Sequence, residues 1–269
     1  SKGGAYEGLI RQALKSGSAV VLIFSTFKKG AGGTVMESQY RPYGEHYNIP
    51  MISMGDGITK YFDEDGFYDW YFGDRLHPNN RGYKLMSDCI MNLMDTVDNA
   101  QADTDNITDI DAMAPKTTAA YQGMKMIDAN TKAEDDDALI SIDAGSFTAK
   151  DSATGNFQYE YKGQKSASWF ADNWMHTKDA ANDALTVKLN CKTLMFVYKL
   201  SSSDSFGPAD VYIDGEKKGT LNGYDSSGWN NGKVFVAMTN EEVAEHTIEI
   251  KMADKSAAKN FTLMAIGFN

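Results

Sequence analysis

The chain has 269 residues, of which 42% are hydrophobic, 12% aromatic and 23% charged, a balance that supports one large core or two ordinary ones and excludes a disordered or collagen-like chain. With 26 basic against 37 acidic residues the net charge is -11, so phosphate backbones and anionic membrane surfaces repel it at long range, and neither nucleic acid nor membrane is expected as a partner. The longest apolar run, Ala19 to Phe24, is far shorter than the roughly 18 residues a membrane span needs, and Ser1-Lys2-Gly3-Gly4 is not a basic-then-apolar leader, so a soluble chain whose first residue is not the natural start is expected.

Tyr6, Leu9, Ile10, Ala13 and Leu14 recur at helical spacing, and Ser16-Gly17-Ser18 should close that helix. Ala19 to Phe24 reads as a strand buried on both faces, as in a parallel sheet. A glycine-rich loop (Gly30, Gly32, Gly33), a helical segment ending near Tyr47 and the short strand Ile49 to Ser53 follow. Helix, buried strand, helix, buried strand is the rhythm of an open α/β sheet. Gly82 to Val97, with Tyr83, Met86, Ile90, Leu93, Met94 and Val97 on one stripe, should be its closing helix.

Residues 99–118 are acidic and polar (Asp103, Asp105, Asp109, Asp111) and read as a linker; they lack the glycine and distal glutamate of an EF-hand loop. Beyond residue 119 the pattern turns to period two. Strands are expected at Leu139–Ile142, Phe157–Tyr161, Leu185–Leu189, Thr193–Leu200, Asp210–Ile213, Lys233–Met238, His246–Met252 and Phe261–Phe268, with turns at Asp214-Gly215 and Asn222-Gly223. Eight short strands at this spacing read as an all-β sandwich of jelly-roll type. Cys89 and Cys191 have neither disulfide nor metal-ligand spacing and read as buried free thiols.

The most informative stretch is Gly73-Asp74-Arg75-Leu76-His77-Pro78-Asn79-Asn80-Arg81-Gly82-Tyr83. An aspartate three residues before a histidine on a tight turn can take a hydrogen bond from one imidazole nitrogen, leaving the other to receive a proton from a hydroxyl. Pro78 suits the first turn of the helix that follows, and Asn-Asn-Arg-Gly lets the backbone turn sharply. The plainer alternative for Asp74 and His77 is a helix cap and a surface imidazole. His46, His176 and His246 lack ligand neighbours and read as surface or structural residues.

This segment resembles the last block of the SGNH, or GDSL-type, esterases, whose Asp-x-x-His-Pro supplies two members of a Ser-His-Asp triad. Tyr6-Glu7-Gly8-Leu9-Ile10-Arg11, the strand to Phe24, and Tyr43 to Ser53 resemble the second half of that fold as it occurs in bacterial carbohydrate esterases. The resemblance covers roughly residues 5–98. It implies a partial, flavodoxin-like three-layer α/β domain in which His77 is the general base and Asp74 its orienting partner. The sequence departs from the family in having no Gly-Asp-Ser nucleophile block; Gly55-Asp56-Gly57 has glycine where serine is required. Truncating the nucleophile of such a triad costs on the order of a million-fold in turnover, so the chain alone is expected to be inactive. Ser25 and Ser53 end the two strands, where open α/β sheets carry functional groups, but neither sits on a recognisable elbow.

The β-region from Asp210 on resembles the carbohydrate-binding modules appended to secreted esterases and glycosidases. A sugar would stack on an exposed aromatic ring beside polar side chains, and Trp169, Trp174, Tyr224, Trp229 and Asn230 are the candidates, although at least one of the three tryptophans should be buried between the sheets. Glu134 to Asp137 could bind calcium or be a solvated acidic turn; no other cofactor is expected. The resemblance implies an extracellular bacterial protein with domains at 1–98 and 119–269, acting on plant cell-wall polysaccharide. Two functions stay open: glycan binding by this chain, or acetyl-ester hydrolysis once a missing N-terminal half, a second chain or self-association completes the site.

Overall fold

A computed structural model describes residues 3–27, 36–101, 109–154, 160–161, 164–165 and 170–269. The glycine-rich loop, Phe157 to Tyr159, Trp169, Asp103 and Asp105 lie outside them. The chain divides into two units, Ser1–Gln122 and Gly123–Asn269.

The first unit opens with α1, Gly4–Lys15, closed by amides of Ser16 and Gly17 that reach back to the carbonyls of Gln12 and Leu14. Two short strands, β1 (Leu22–Phe24) and β2 (Met51–Ser53), pair in parallel, joined by α2 (Glu37–His46). Leu22 and Phe24 are buried but Ile23 between them is 41% exposed, so the strand expected to be covered on both faces is shorter than expected and covered on one. Then come α3 (Met54–Ile58), α4 (Phe67–Tyr71) and the long α5 (Asn80–Asp98). The stripe expected to bury α5 does so only in part: Met86, Ile90 and Leu93 are half-buried, but Tyr83, Met94 and Val97 are exposed, and the helix packs through Gly82, Leu85, Met86 and Cys89, which makes Cys89 half-buried where a buried thiol was expected.

The stretch expected to be a solvated linker is, from residue 109 on, a strap fastened to α1. The Arg11 guanidinium donates to the carbonyls of Ile110 (2.5 Å) and Met113 (3.0 Å) and to Gln122 Oε1 (2.7 Å). The Glu7 carboxylate accepts from the amides of Lys116 (2.5 Å), Thr117 (2.8 Å) and Thr118 (3.0 Å) and from the Tyr47 hydroxyl (2.5 Å). Both side chains are buried. Burial pushes the Glu7 carboxyl up, but the bonds from Tyr47 and the three amides outweigh it and hold the group below its ordinary value.

The second unit holds β3 (Lys125–Ile127), β4 (Leu139–Asp143), β5 (Glu160–Tyr161), β6 (Gln164–Lys165), β7 (Trp174–His176), β8 (Leu185–Ser201), β9 (Pro208–Ile213), β10 (Glu216–Asn222), β11 (Trp229–Met252) and β12 (Phe261–Phe268). Among the described residues the strand pairs are antiparallel, in the order β10-β9-β11-β8-β12-β3, with β4 beside β8 and β7 beside β12, while β5 and β6 pair with each other apart from this sheet. Two pairs of expected strands are therefore single long ones. Residues 185–189 of β8 pair with β4 and the end of β11, and residues 193–201 pair with the start of β11 and with β12. A register shift between Thr239 and Ala244 marks where β11 changes course. Asp214 and Gly215, both at positive φ (53 and 78), make the expected two-residue hairpin between β9 and β10. Asn222-Gly223 makes no hairpin: Gly223 donates to the Gly207 carbonyl, and a Cβ there would stand 2.9 Å from that oxygen. The core is contiguous, with Leu185, Val187, Leu189, Cys191, Phe196, Ile248, Ile250 and Phe261 at 0% exposure. Burial pushes the Cys191 thiol up to about 11, which leaves it unreactive.

Candidate functional site

Asp74 and His77 meet. His77 Nδ1 lies 2.9 Å from Asp74 Oδ2, while Asp74 Oδ1 accepts from the amides of Leu76 (2.6 Å) and His77 (2.7 Å). The bond from the His77 amide, then that from its ring, then that from the Leu76 amide pull the Asp74 carboxyl down to about 2. An ionised carboxylate on Nδ1 puts the proton there, so Nε2 is the nitrogen with a lone pair to offer. Both side chains are about 60% exposed, so a reacting group can reach the ring from solvent.

The local frame follows from the sequence. Asn79 caps α5, its side-chain oxygen accepting from the amides of Arg81 and Gly82. Pro78 therefore stands outside the helix, not in its first turn, and bridges to Phe72. Gly82 is required by close approach: a Cβ there would lie 2.4 Å from the Tyr71 carbonyl oxygen. The aromatic helix α4 lies beside this turn, with Trp70 exposed and its ring stacked on Phe67 at 5.7 Å. Sequence reasoning passed over Trp70 and gave Asn79 only a turn-making role; the pattern Phe67-Tyr68-Asp69-Trp70-Tyr71 directly before the dyad was the signal for the first.

The serines do not supply a nucleophile elbow. Ser53 caps α3, accepting from the Asp56 amide (3.0 Å) and donating to Glu37 Oε2 (2.8 Å), and Asp56 of the Gly-Asp-Gly look-alike is paired with Arg41 at 2.6 Å. Ser25 is exposed past the end of β1.

In the second unit the candidate aromatics separate. Trp174 is 3% exposed on β7 and packed into the core, so it cannot stack on a sugar and is withdrawn as a platform. Trp169 lies outside the described residues. Tyr224 (39% exposed) and Trp229 (51% exposed) both pair with Ser201 through the backbone, which brings them to the two ends of the turn 225–228. Asn230, at φ 66, is the extra residue where the register slips between Trp229 and Asn231, a bulge that re-aims its neighbours. Gly228 allows the turn to lie against Leu200, whose carbonyl carbon would be 2.8 Å from a Cβ.

The remaining polar features are structural in form. His176 places both ring nitrogens on backbone carbonyls, those of Lys259 and Ala181, and His246 bonds Asp214 at 2.7 Å. In the acidic turn Asp136 is paired with Lys125, and among the described residues no three His, Cys, Asp or Glu side chains gather as a metal site.

No protein-family model matches the chain, and neither does any curated protein. Among solved structures it is similar to a two-domain esterase, CEX, active on acetylated mannans, with a TM-score of 0.72 and 18% identity over 98% of this chain and 67% of that one. The same esterase co-crystallised with mannopentaose gives a TM-score of 0.69 over the same shares. A family 35 carbohydrate binding module from an environmental isolate aligns with 53% of this chain and 90% of its own, at a TM-score of 0.33 and 11% identity. The chain thus has the fold of a two-domain esterase: an α/β unit followed by an antiparallel β unit.

Proposed function

We propose that this chain belongs to an SGNH-type carbohydrate esterase that removes acyl groups, acetyl foremost, from plant polysaccharide outside the cell, and that the 269 residues by themselves bind glycan in preference to hydrolysing ester. The observation that carries the reading is the Asp74–His77 pair at 2.9 Å, with the carboxylate held ionised and the ring reachable. In the reaction His77 Nε2 takes the proton of a serine hydroxyl and returns it to the leaving sugar oxygen, and Asp74 stabilises the imidazolium between those steps. The fold of an esterase active on acetylated mannans supports the class of substrate. Tyr224, Trp229 and Asn230, with Trp169 on sequence grounds alone, form the glycan-binding surface in a β unit of jelly-roll type.

A second reading, an active acetyl esterase whose serine comes from a preceding segment or another chain, is favoured by one feature. Among the described residues the parallel sheet has two strands, and Ile23 on it and Met94 and Val97 on α5 are exposed apolar residues of the kind further strands would cover. Hydrolysis of p-nitrophenyl acetate by the wild type and His77→Ala side by side separates the two. The proposed function predicts equal, background rates; a rate that falls on His77→Ala would reject binding as the chain's sole role.

A further inference from the structure

Asn79 follows the dyad by two residues, and its carboxamide is used at both ends. The oxygen caps α5. The nitrogen lies on three backbone carbonyls, those of Asp69 (3.1 Å), Trp70 (2.9 Å) and Phe72 (3.3 Å), so its two hydrogens serve three acceptors and one is shared. The Asn79 backbone amide adds a bond to the Tyr71 carbonyl at 2.8 Å. Capping α5 needs the oxygen alone; the nitrogen serves instead the last carbonyls of α4, which have no partner within their own helix. They fasten the end of α4, only five residues long, to the start of α5. Between these helices the loop 73–78 is closed at its neck by the Phe72–Pro78 bridge and by the Gly73 amide donating to the His77 carbonyl at 2.9 Å. Asp74 and His77 both lie inside that loop.

We propose that Asn79 is the positioning residue of the dyad: its amide nitrogen holds the neck of the 73–78 loop shut and so keeps the Asp74 carboxylate beneath its two amides and the imidazole. This deepens the proposed function and rests on reading Asp74 and His77 as the acid–base pair. With the neck shut, Leu76 and His77 present their amides to one carboxylate oxygen while the ring meets the other. With the neck open those three bonds are no longer held together, and the carboxyl returns from about 2 toward its ordinary 3.8. The role is one of geometry, since Asn79 acts on His77 through the loop and not on the reacting atoms.

Asn79→Ser and Asn79→Asp both keep an oxygen to cap α5 and remove the carboxamide nitrogen that serves the three carbonyls. The test is the Asp74 side-chain carboxyl resonance in carbon-13 NMR of the whole chain, read at a pH of about 3.5. In the wild type it should stay at the ionised position; in both variants it should move about halfway or more toward the protonated one, with helix content by circular dichroism unchanged. An unmoved resonance in either folded variant overturns the proposal. Should both variants lose helix, the wild type decides: the Asn79 carboxamide protons should exchange with solvent about tenfold or more slower than those of Asn80, and equal exchange overturns it. No activity is read, so failure here leaves the role of His77 to its own assay, and failure of that assay leaves the Asn79 result standing.

Discussion

Asp74 gathers three hydrogen bonds on one exposed carboxylate, and this sets a pH window for the turn that holds His77. Its carboxyl is depressed from 3.8 to about 2, so the order it confers is complete above 3.8 and is lost as pH falls through about 2. The His77 Nδ1 proton, followed by nitrogen-15 NMR, should therefore stay protected from neutral pH down to about 4 in the wild type and be unprotected at every pH in Asp74→Ala, which removes the acceptor. Elsewhere, Lys199 and Asp151 form a pair at 2.7 Å, 3% and 7% exposed, with Thr262 also donating to Asp151. Lys199→Met leaves that carboxylate buried without its cation and should cost about 3–5 kcal/mol in denaturant unfolding, whereas pairing it with Asp151→Leu should recover only part of the loss, because the Thr262 hydroxyl and the Ala153 amide then lose their acceptor. The dyad was legible from residue types because its partners are three apart and the contact is local. Trp174 and Trp229 were not distinguishable, since both sit among polar residues and burial is decided by a distant strand: β7 pairs with Leu263 of β12.

Elements were legible where a pattern is closed by local chemistry and blurred where tertiary contacts override it. The first helix and the Asp214-Gly215 hairpin follow from spacing and turn residues. The long strands β8 and β11 each read as two, because the alternation is interrupted at the polar residues where they change neighbours, near Asn190–Lys192 and Asn240–Glu242. The strap could not be foreseen: an acidic, polar segment looks solvated unless one knows that Glu7 and Arg11 are buried beneath it. Glu7→Ala leaves three strap amides without their acceptor and should destabilise the first unit by about 2–4 kcal/mol and expose residues 109–118 to protease, measurable by limited proteolysis. Gly82→Ala drives a methyl onto the Tyr71 carbonyl and should cost about 1–3 kcal/mol, seen as a lower unfolding midpoint.

At the scale of the molecule, the described residues of the β unit share one contiguous buried core, whereas those of the α/β unit divide into two smaller clusters. Residues 123–269 expressed alone should accordingly unfold in one cooperative transition by calorimetry, with 1–122 alone showing a broad one. The division into an α/β and an all-β part was readable from the switch of hydrophobic period; for the β part the sequence offered only a set of candidate aromatics, of which Tyr224 and Trp229 are exposed and sit on one turn. The account turns on this chain holding polysaccharide. Affinity electrophoresis through gels cast with acetylated mannan and other plant hemicelluloses tests it most directly: the wild type should be retarded and Trp229→Ala should run free, whereas unchanged mobility of the wild type on every glycan would contradict the account.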